Sequence, residues 1–316
     1  MHYRRVGSSG LQVSAVSLGT WLTFGETMPN DVAVACLERA VANGVNFFDT
    51  SNSYARGAAE EVLGAFLRTL PRGSYVVATK CFFPMGDGVH ERGLSRKSVL
   101  EACVASLRRL GTETIDLYLC HRYDAGVPLA ETVRAMGDLI RQGKIHYWGV
   151  SRWTAEQIAD AVRTADDLGV DRPISNQPRY NMLDREIETT GVLETCVRYG
   201  VGIIAHSPLA QGLLTGKYNG HRVPADSRAA TEGAKDWLMP RLAGDDVSRA
   251  ERLGAIAAEA GMSLPELALR WCLRHPIVAT VITGASRPKQ VDYNCRAAEG
   301  TIPDDVLARI DAVLRD

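Results

Sequence analysis

Short apolar segments with the pattern of buried β-strands alternate, along nearly the whole chain, with segments of helical period. The helix candidates place apolar residues at three- and four-residue spacings. The strand candidates are rich in β-branched or aromatic residues and are bounded by loop residues. Strands are predicted at 15–19, 45–49, 75–80, 115–121, 145–150, 174–177, 202–206 and 278–284, and helices at 32–42, 60–67, 99–110, 129–140, 155–168 and 186–199. This alternation predicts an α/β fold with a parallel sheet.

An open doubly wound sheet and a closed (β/α)8 barrel both satisfy the pattern. Eight units in a chain of 316 residues, with no Pro-, Gly- or Ser-rich linker, favour the barrel. A dinucleotide-binding doubly wound sheet also predicts G-x-G-x-x-G after an early strand, and the sequence has no such motif. We therefore expect one domain over 1–316, with the fold of a TIM barrel.

Three regions depart from the regular alternation. Residues 3–13 predict a β-hairpin that turns near Ser8-Ser9-Gly10. The connection 208–246, after the seventh barrel strand, is long and rich in Gly and Pro, which is typical of a lid or a binding loop. Helical patterns at 248–260, 265–274 and 306–314 predict additional C-terminal helices that cover the side or bottom of the barrel.

Capping residues support several of the predicted helices. Ser95 precedes one helix, and Thr154 precedes another with Gln157 three residues later, which is the spacing of a capping box. Gly111 and Gly169 follow the last apolar positions of the same two helices, as expected for glycine just beyond a helix end.

Composition excludes several classes of function. A net charge of −1 gives no electrostatic footprint for nucleic acid or an anionic membrane. The apolar runs are too short to span a membrane, and early polar and glycine residues argue against a signal peptide. The seven cysteines are dispersed without a C-x-x-C pair, so we expect reduced thiols, a cytoplasmic protein and no metal site.

Four titratable residues lie at or just after three consecutive strand ends. Asp49 closes the second barrel strand, Lys80 the third and His121 the fourth, and Tyr54 lies in the loop after Asp49. Alternation places each strand-end residue on the same face as the apolar residues two and four positions before it. Each has an ordinary structural explanation when taken singly. Together on the carboxyl-terminal rim of a barrel they predict an active site.

These four residues suit carbonyl reduction. A tyrosine with an ordinary pKa of about 10 is a poor acid at neutral pH. A neighbouring Lys80 is expected to lower the pKa of Tyr54, and Asp49 to pair with Lys80 and fix its position. His121 can donate a hydrogen bond to the carbonyl oxygen as negative charge develops there. No side chain supplies hydride, so a nicotinamide cofactor is implied.

The chain resembles the aldo-keto reductases, and among them the branch that includes the voltage-gated potassium channel β subunits and their bacterial relatives. The matching residues extend over nearly the whole chain. They are Phe-Asp-Thr at 48–50 with Tyr54, Ala-Thr-Lys at 78–80, Asp116 to His121, Gly-Val-Ser-Arg-Trp at 149–153, Asn176-Gln177, Ser207-Pro208-Leu209, Gly212, Lys217, Arg228, Gly284-Ala285-Ser286, Gln290 and Asn294.

This resemblance implies roles for the later motifs and a preference for NADP(H) over NAD(H). Ser151, Asn176 and Gln177, with Arg152 beside them, would hold the nicotinamide carboxamide, and His206 would lie against the nicotinamide ring. A turn from Ser207 through Pro208 and Leu209 to Gly212, with Lys217, would wrap the pyrophosphate. The adenosine end with its phosphate would meet Arg228, Gly284, Ser286, Arg287, Gln290 and Asn294. Guanidinium groups and a helix N-terminus suit such an anion.

Several positions depart from the family pattern. His206 stands where an aromatic Trp or Tyr is usual, Tyr293 where a Glu is usual, and Ala55 where Gly is common. His121 differs from the Asn that many channel subunits carry, which favours a working reductase.

The loops after the first, third and fourth barrel strands are expected to form the substrate pocket. Trp21, Phe83 and Tyr123 would supply apolar walls, and Arg92 and Arg122 could meet an anion. Three hypotheses follow: a broad aldehyde or ketone reductase, a biosynthetic reductase of a keto sugar or sugar nucleotide, and a slow, NADP(H)-binding redox-sensing subunit of a membrane channel. Relatives include monomers and tetramers, so a homo-oligomer is left open.

Overall fold

In the computed structural model, which describes residues 1–230 and 232–315 (for 232–237 the backbone only), eight parallel strands close into a barrel. An antiparallel hairpin of β1 (Tyr3–Arg5) and β2 (Gln12–Ser14) precedes it. The barrel strands are β3 (Val16–Gly19), β4 (Phe47–Asp49), β5 (Val76–Cys81), β6 (Ile115–Cys120), β7 (Ile145–Val150), β8 (Ser175–Asn176), β9 (Gly202–His206) and β10 (Val278–Thr283). Each strand pairs with the next, and β10 pairs with β3. The predicted (β/α)8 barrel is confirmed.

Helices surround this barrel and follow the predicted capping. They are α1 (Asn30–Ala42), α2 (Ala58–Leu67), α3 (Arg96–Leu110), α4 (Leu129–Arg141), α5 (Ala155–Leu168), α6 (Glu186–Thr189), α7 (Val192–Tyr199), α8 (Glu232–Ala243), α9 (Asp246–Glu259), α10 (Leu264–Leu273), α11 (Pro288–Ala297) and α12 (Asp304–Arg315). Ser95 caps α3, Thr154 and Gln157 form a capping box on α5, and both helices end at a left-handed glycine. None of the described helices combines the length and apolar composition needed to cross a bilayer.

The hairpin closes the amino-terminal end of the barrel. Val6 and Val13 of this segment are buried in one cluster with Phe47, Val76 and other inward-facing strand residues. Gly7 adopts a φ of 58° and packs so closely that a Cβ would lie 2.1 Å from the Gly200 carbonyl oxygen. Because this end is filled with apolar side chains and backbone, the opposite, carboxyl-terminal end of the strands is the open mouth of the barrel.

Two predicted segments need correction. Residues 186–199 form two helices rather than one, because Gly191 takes a φ of 76° between α6 and α7 and interrupts the helical hydrogen bonds. The connection 208–246 is not irregular throughout: it contains α8, whose Gly233 and Pro240 hid it from a reading of helical period. Thr231 of this connection, and Asp316 at the end of the chain, lie outside the described residues.

Candidate active site

The mouth of the barrel is lined by residues that continue the inward-facing side of the strands. Phe47, Ala78, Leu119 and Ile204 belong to the apolar cluster inside the barrel. Two residues further along the same strands lie, in that order, Asp49, Lys80, His121 and His206. The apolar interior therefore ends in a layer of polar and titratable groups.

Lys80 is the central group of this layer, and its side chain is fully buried. Its ammonium donates to both carboxylate oxygens of Asp49, at 2.9 and 2.8 Å, and to the Thr50 carbonyl oxygen at 2.6 Å. A fourth contact, of 3.3 Å, joins Lys80 Nζ to the Tyr54 hydroxyl. Asp49, Lys80 and Tyr54, taken from two strands and one loop, thus form one continuous polar chain.

Burial, rather than the neighbouring ammonium, decides the pKa of Tyr54. Burial raises it, Lys80 lowers it and Asp49 raises it, and the net pKa lies above the ordinary value of 10.0. Lys80 does lower the pKa of Tyr54, as predicted, but desolvation outweighs the ammonium, so the net pKa is raised. Burial also lowers the pKa of Lys80, but Asp49 and Tyr54 raise it further, so it lies above 10.5. The phenol stays protonated and the ammonium stays charged.

The loop that carries Tyr54 has an unusual backbone. Ala55, Arg56 and Gly57 all have positive φ, of 48°, 51° and 100°, before α2 begins at Ala58. Left-handed conformations are unfavourable for residues with a Cβ, so the surrounding contacts must hold this loop in shape.

The fully buried Glu60 in the first turn of α2 supplies such contacts. Its carboxylate accepts from Thr79 Oγ1 at 2.5 Å and from Arg109 Nε at 2.6 Å. Thr79 is the residue before Lys80 on β5, and a Cβ on Gly57 would meet the Arg109 side chain at 2.7 Å. The helix that follows the Tyr54 loop is thereby tied to the strand that carries Lys80, a link that the sequence did not reveal.

His121 faces Tyr54 across the mouth. Its ring centroid lies 5.8 Å from that of Tyr54 and 4.8 Å from that of Phe83, both in edge-on geometry. Burial lowers the pKa of His121 well below 6.5, and the nearby charges of Lys80 and Arg122 lower it further. The imidazole is therefore neutral at neutral pH.

Ser51, buried two residues after Asp49, orients this ring. Its hydroxyl lies 3.2 Å from His121 Nδ1. When the hydroxyl donates to Nδ1, the single proton of the neutral imidazole is held on Nε2, where it can be donated into the mouth. A polar residue in the strand-end loop that carries Asp49 was the available sequence signal for this contact.

Gln177 contacts both Asp49, in the polar chain of Asp49, Lys80 and Tyr54, and Ser151, in the predicted carboxamide site. Its side-chain Nε2 donates to Asp49 Oδ1 at 2.8 Å, and its backbone carbonyl oxygen accepts from Ser151 Oγ at 2.9 Å. Asn176, predicted to act with them, alternates with the inward-facing Gln177 and so points to the helix layer. Its buried amide has no hydrogen-bond partner among the described residues. The structure therefore separates Asn176 from Ser151 and Gln177.

The turn after β9 departs from ordinary backbone conformation at several residues. Ser207, Ala210 and Gln211 have positive φ, of 58°, 47° and 60°, and Gly212 has a φ of 102°. His206 is partly buried, with its Nδ1 3.1 Å from Ser207 Oγ, and Pro208 is buried while Leu209 is partly exposed. Burial lowers the pKa of His206 well below 6.5, and Arg179 and Arg152 lower it further. A neutral ring thus stands at the start of a strained turn.

Cations surround the far side of this turn. The exposed Lys217 ammonium lies 5.1 Å from the centroid of the Tyr218 ring. Arg228 lies next to Gly284, where an added Cβ would be 3.9 Å from a guanidinium nitrogen, and the exposed Arg287 pairs with Asp226 at 2.7 Å. This is the part of the site predicted to meet phosphates.

A side chain from the first turn of α11 contacts the residue just before the helix N-cap. Gln290 Oε1 accepts from the Ser286 amide at 2.7 Å and from its hydroxyl at 3.2 Å. Asn294, two turns into the helix, is 5% exposed, so its side chain is nearly enclosed.

Two of the predicted pocket residues lie next to Tyr54 and His121. The Trp21 ring, 39% exposed, lies 6.5 Å from that of Tyr54, and Phe83 contacts His121. Tyr123 packs edge-on against the buried Trp153 at 4.9 Å. The Arg122 guanidinium lies 5.2 Å from the centroid of Phe83 and donates to the His121 carbonyl oxygen, whereas Arg92 is exposed in the loop after β5.

Other kinds of site find no support in the described residues. Across 1–230 and 232–315 no group of three His, Cys, Asp or Glu residues is placed to hold a metal ion. The cysteines are all buried and unpaired, and Cys120 lies in the layer between barrel and helices, as its position in β6 predicted.

Comparison with known proteins gives one consistent result. Residues 15–315 match the Aldo/keto reductase family. The whole chain aligns, at 42% identity and over 97% of the relative's length, with a protein of Arabidopsis thaliana described as a probable voltage-gated potassium channel subunit beta. A protein of Oryza sativa subsp. japonica with the same description is likewise 42% identical over 97% of its length.

Proposed function

This chain belongs to the aldo/keto reductase family, and we propose that it is a cytoplasmic, single-domain reductase that transfers hydride from NADPH to an aldehyde or ketone, with Tyr54 as general acid. The observation that carries the proposal is the chain of contacts from Asp49 through Lys80 to the Tyr54 hydroxyl at the barrel mouth. A partly buried phenol held 3.3 Å from an ammonium is a proton donor whose charged form that ammonium stabilises.

Each residue of this group of contacts would have a defined role in the reaction. Tyr54 donates its proton to the carbonyl oxygen, and Lys80 stabilises the phenolate that remains. Asp49 holds Lys80 in place, and Gln177 holds Asp49 through its 2.8 Å contact. His121, neutral and oriented by Ser51, donates a second hydrogen bond to the carbonyl oxygen.

The residues around the mouth fit a dinucleotide cofactor, which when bound supplies the hydride. Ser151 and Gln177 offer polar atoms beside His206, whose ring would stack against a nicotinamide. At Gly212 a Cβ would meet the Lys217 side chain at 2.5 Å, so the turn and this ammonium form a close cradle suited to a pyrophosphate. Arg228, Ser286 and Arg287 would hold the adenosine phosphate, which supports NADP(H) over NAD(H).

Replacement of Tyr54 by Phe tests the proposal. Because Phe keeps the ring but removes the proton, we expect kcat/KM for aldehyde reduction to fall at least about 100-fold while the NADPH dissociation constant stays within about twofold. Nicotinamide absorbance reports turnover, and fluorescence titration reports binding. Tyr199→Phe, at the end of α7 near the hairpin, is the matched control and keeps wild-type turnover. Comparable turnover in Tyr54→Phe would refute the role of Tyr54.

A second candidate rests on the relatives described as potassium channel β subunits. In that case the chain binds NADP(H) as a redox-sensing subunit and turns over slowly. Mixing the NADPH complex with a panel of aldehydes, ketones and keto sugars in a single-turnover experiment separates the two. Oxidation within seconds favours the reductase, whereas tight binding with oxidation over hours, together with a stable complex with a channel protein, favours the subunit.

A further inference from the structure

Three arginines stand around the same mouth, on the strands and loops next to the reacting groups. Arg122 directly follows His121, Arg152 directly follows Ser151, and Arg179 lies two residues after Gln177. The backbone of Arg179 also forms an isolated parallel β-bridge with His206. Three consecutive positions around the barrel rim therefore each present a guanidinium.

These guanidiniums have few protein partners. Within the described residues neither Arg122 nor Arg152 forms an ion pair, and Arg179 lies 3.7 Å from Asp184. Asp184 already accepts from Arg241 at the shorter distance of 2.9 Å. The Arg179 Nε is buried without a hydrogen-bond partner. Arg152 is exposed and the other two arginines are partly exposed, so solvent stabilises much of their charge. The unsatisfied buried donor of Arg179, next to two further cations that lack an ion pair, nevertheless indicates a site for an anion.

The cluster lies close enough to the reacting groups to act on the same molecule. The Arg122 guanidinium packs on Phe83 at 5.2 Å, and Phe83 contacts His121 at 4.8 Å. After burial, the charge of Arg152 is the largest influence that lowers the pKa of Arg122, and Arg179 also contributes. Arg122 also lowers the pKa of Tyr54, although burial dominates there. Arg152 and Arg179 thus act on Arg122, and Arg122 in turn acts on the phenol.

We propose that the physiological substrate is an anionic carbonyl compound, whose carboxylate or phosphate binds to Arg122, Arg152 and Arg179 while its carbonyl meets Tyr54 and His121. The inference rests on the proposed reductase function and names its substrate class. Guanidinium groups bind carboxylates and phosphates in bidentate geometry, which fixes orientation as well as charge. The phosphates of the cofactor would have separate cations, Lys217, Arg228 and Arg287, beyond the turn after β9. Arg152, which the resemblance also places beside the neutral nicotinamide carboxamide, is the one member of the cluster next to the proposed cofactor site.

Matched pairs of substrates with and without the charge test the proposal. Succinic semialdehyde against butanal tests a carboxylate, and glyceraldehyde 3-phosphate against glyceraldehyde tests a phosphate. For at least one pair, we expect kcat/KM of the anionic member to exceed that of the neutral one by about 10- to 100-fold, the range for a charged hydrogen bond. The pair with the larger ratio identifies the anion. Equal values within both pairs would overturn the proposal while leaving the reductase function intact.

Variants then connect the preference to the cluster. The ratio of kcat/KM for the anionic substrate to kcat/KM for the neutral one should fall about 10-fold or more in at least two of three variants, Arg122→Gln, Arg152→Gln and Arg179→Gln. The preference of the wild type should also weaken as salt is raised. Arg198→Gln, the same charge change at the hairpin end of the barrel and 68% exposed, should keep the wild-type ratio. A loss of NADPH affinity with an unchanged ratio would instead assign the cluster to the cofactor and refute the proposal.

A binding measurement separates failure of this proposal from failure of the reductase function. Calorimetric titration of the NADP⁺ complex with succinate, and with inorganic phosphate, reports the anion site without turnover. Binding that is lost in Arg122→Gln, with no carbonyl reduced, keeps the anion site and rejects the reductase function. If neither anion binds in the wild type, there is no anion site and the proposal is wrong.

Discussion

The mouth of the barrel is built in two different ways on its two sides. On the side of β4 to β6, the functional groups are side chains at strand ends, buried and paired, as in the contact between Lys80 and Asp49. On the side of the turn after β9, the functional element is the backbone, with left-handed residues from Ser207 to Gly212 and exposed cations beyond them. On the first side, strand register fixes the positions of the functional groups; on the second side, the shape of the backbone turn fixes them.

Under the proposed function, this difference separates the residues of the chemical step from those that bind the cofactor. A proton donor must be held relative to one atom, and regular strands with buried ion pairs do that with little freedom. A long flexible anion would be bound instead by a turn that presents amides and by cations on exposed side chains. Changes on the strand side should therefore affect catalysis and stability together, and changes on the turn side should affect cofactor affinity.

The largest expected effect comes from breaking the buried ion pair with Lys80→Met. The uncompensated Asp49 should lower the free energy of unfolding by about 3–5 kcal/mol, and loss of the ammonium should lower kcat/KM at least about 100-fold. Denaturant titration and NADPH oxidation measure the two effects. Lys97→Met, which removes a surface pair with Glu101, should cost less than about 0.5 kcal/mol. The double variant Asp49→Asn/Lys80→Met should unfold less easily than Lys80→Met alone.

On the turn side, Gly212→Ala should act mainly on cofactor binding. With a φ of 102° and Lys217 Cε 2.5 Å from the new Cβ, the turn must shift, and we expect the NADPH dissociation constant to rise about 10-fold. Gly261→Ala, which has a φ of 69° but open space around the added Cβ and lies at the end of α9, should lose stability without losing NADPH affinity. Equal NADPH affinities of Gly212→Ala and wild type would argue against the cradle.

The two sides share one pH dependence through His121 and His206. Both have folded-state pKa values well below 6.5, so below that pH the unfolded chain binds protons that the folded protein does not, and stability falls as pH falls. Between about pH 7.5 and 5.5 we expect a loss of about 2–3 kcal/mol, measured by denaturant titration.

His121→Asn should reduce this slope, whereas replacement of the exposed His90 by Asn should not. Glu188 does not interfere in that range. Its folded-state pKa is lowered from 4.5, although burial opposes the shift, because His275, Tyr180 and arginines bond its carboxylate. Its contribution to stability is therefore lost only as pH falls below that value. An unchanged slope in His121→Asn would contradict the buried, neutral state of this ring.

The smallest expected effect concerns Ala55, since the strand side of the mouth also contains strained backbone at this residue. Glycine adopts a φ of 48° without the steric cost of a Cβ, so Ala55→Gly should raise the free energy of unfolding by about 0.5–1 kcal/mol. Ala255→Gly, the same change at an exposed position within α9, should lower it by about 1 kcal/mol. Thermal unfolding of both variants measures these changes. If both substitutions lowered the free energy of unfolding, Ala55 would not be strained.

The sequence predicted the strands and their inward-facing residues because both depend on a local period. Ile145–Val150 and Gly202–His206 were predicted to the residue, and alternation placed Asp49, Lys80 and His121 on one face. It failed where the local pattern was ambiguous, at the break between α6 and α7 and at α8. It also could not distinguish Asn176 from Gln177 by resemblance alone, although alternation within β8 separates them.

By itself, the sequence determined the alternation of elements, the capping of α3 and α5 and the set of groups at the strand ends, because each follows from spacing along the chain. Only the tertiary structure decided which groups touch and how deeply they are buried. Gln177 contacts Asp49 across 128 positions, and Ser51 contacts His121 across 70. Burial raises the pKa of Tyr54 by more than Lys80 lowers it, and closure of the barrel brought three arginines to one rim. The physical reason is that desolvation and long-range charge depend on the closed barrel, which no local period encodes.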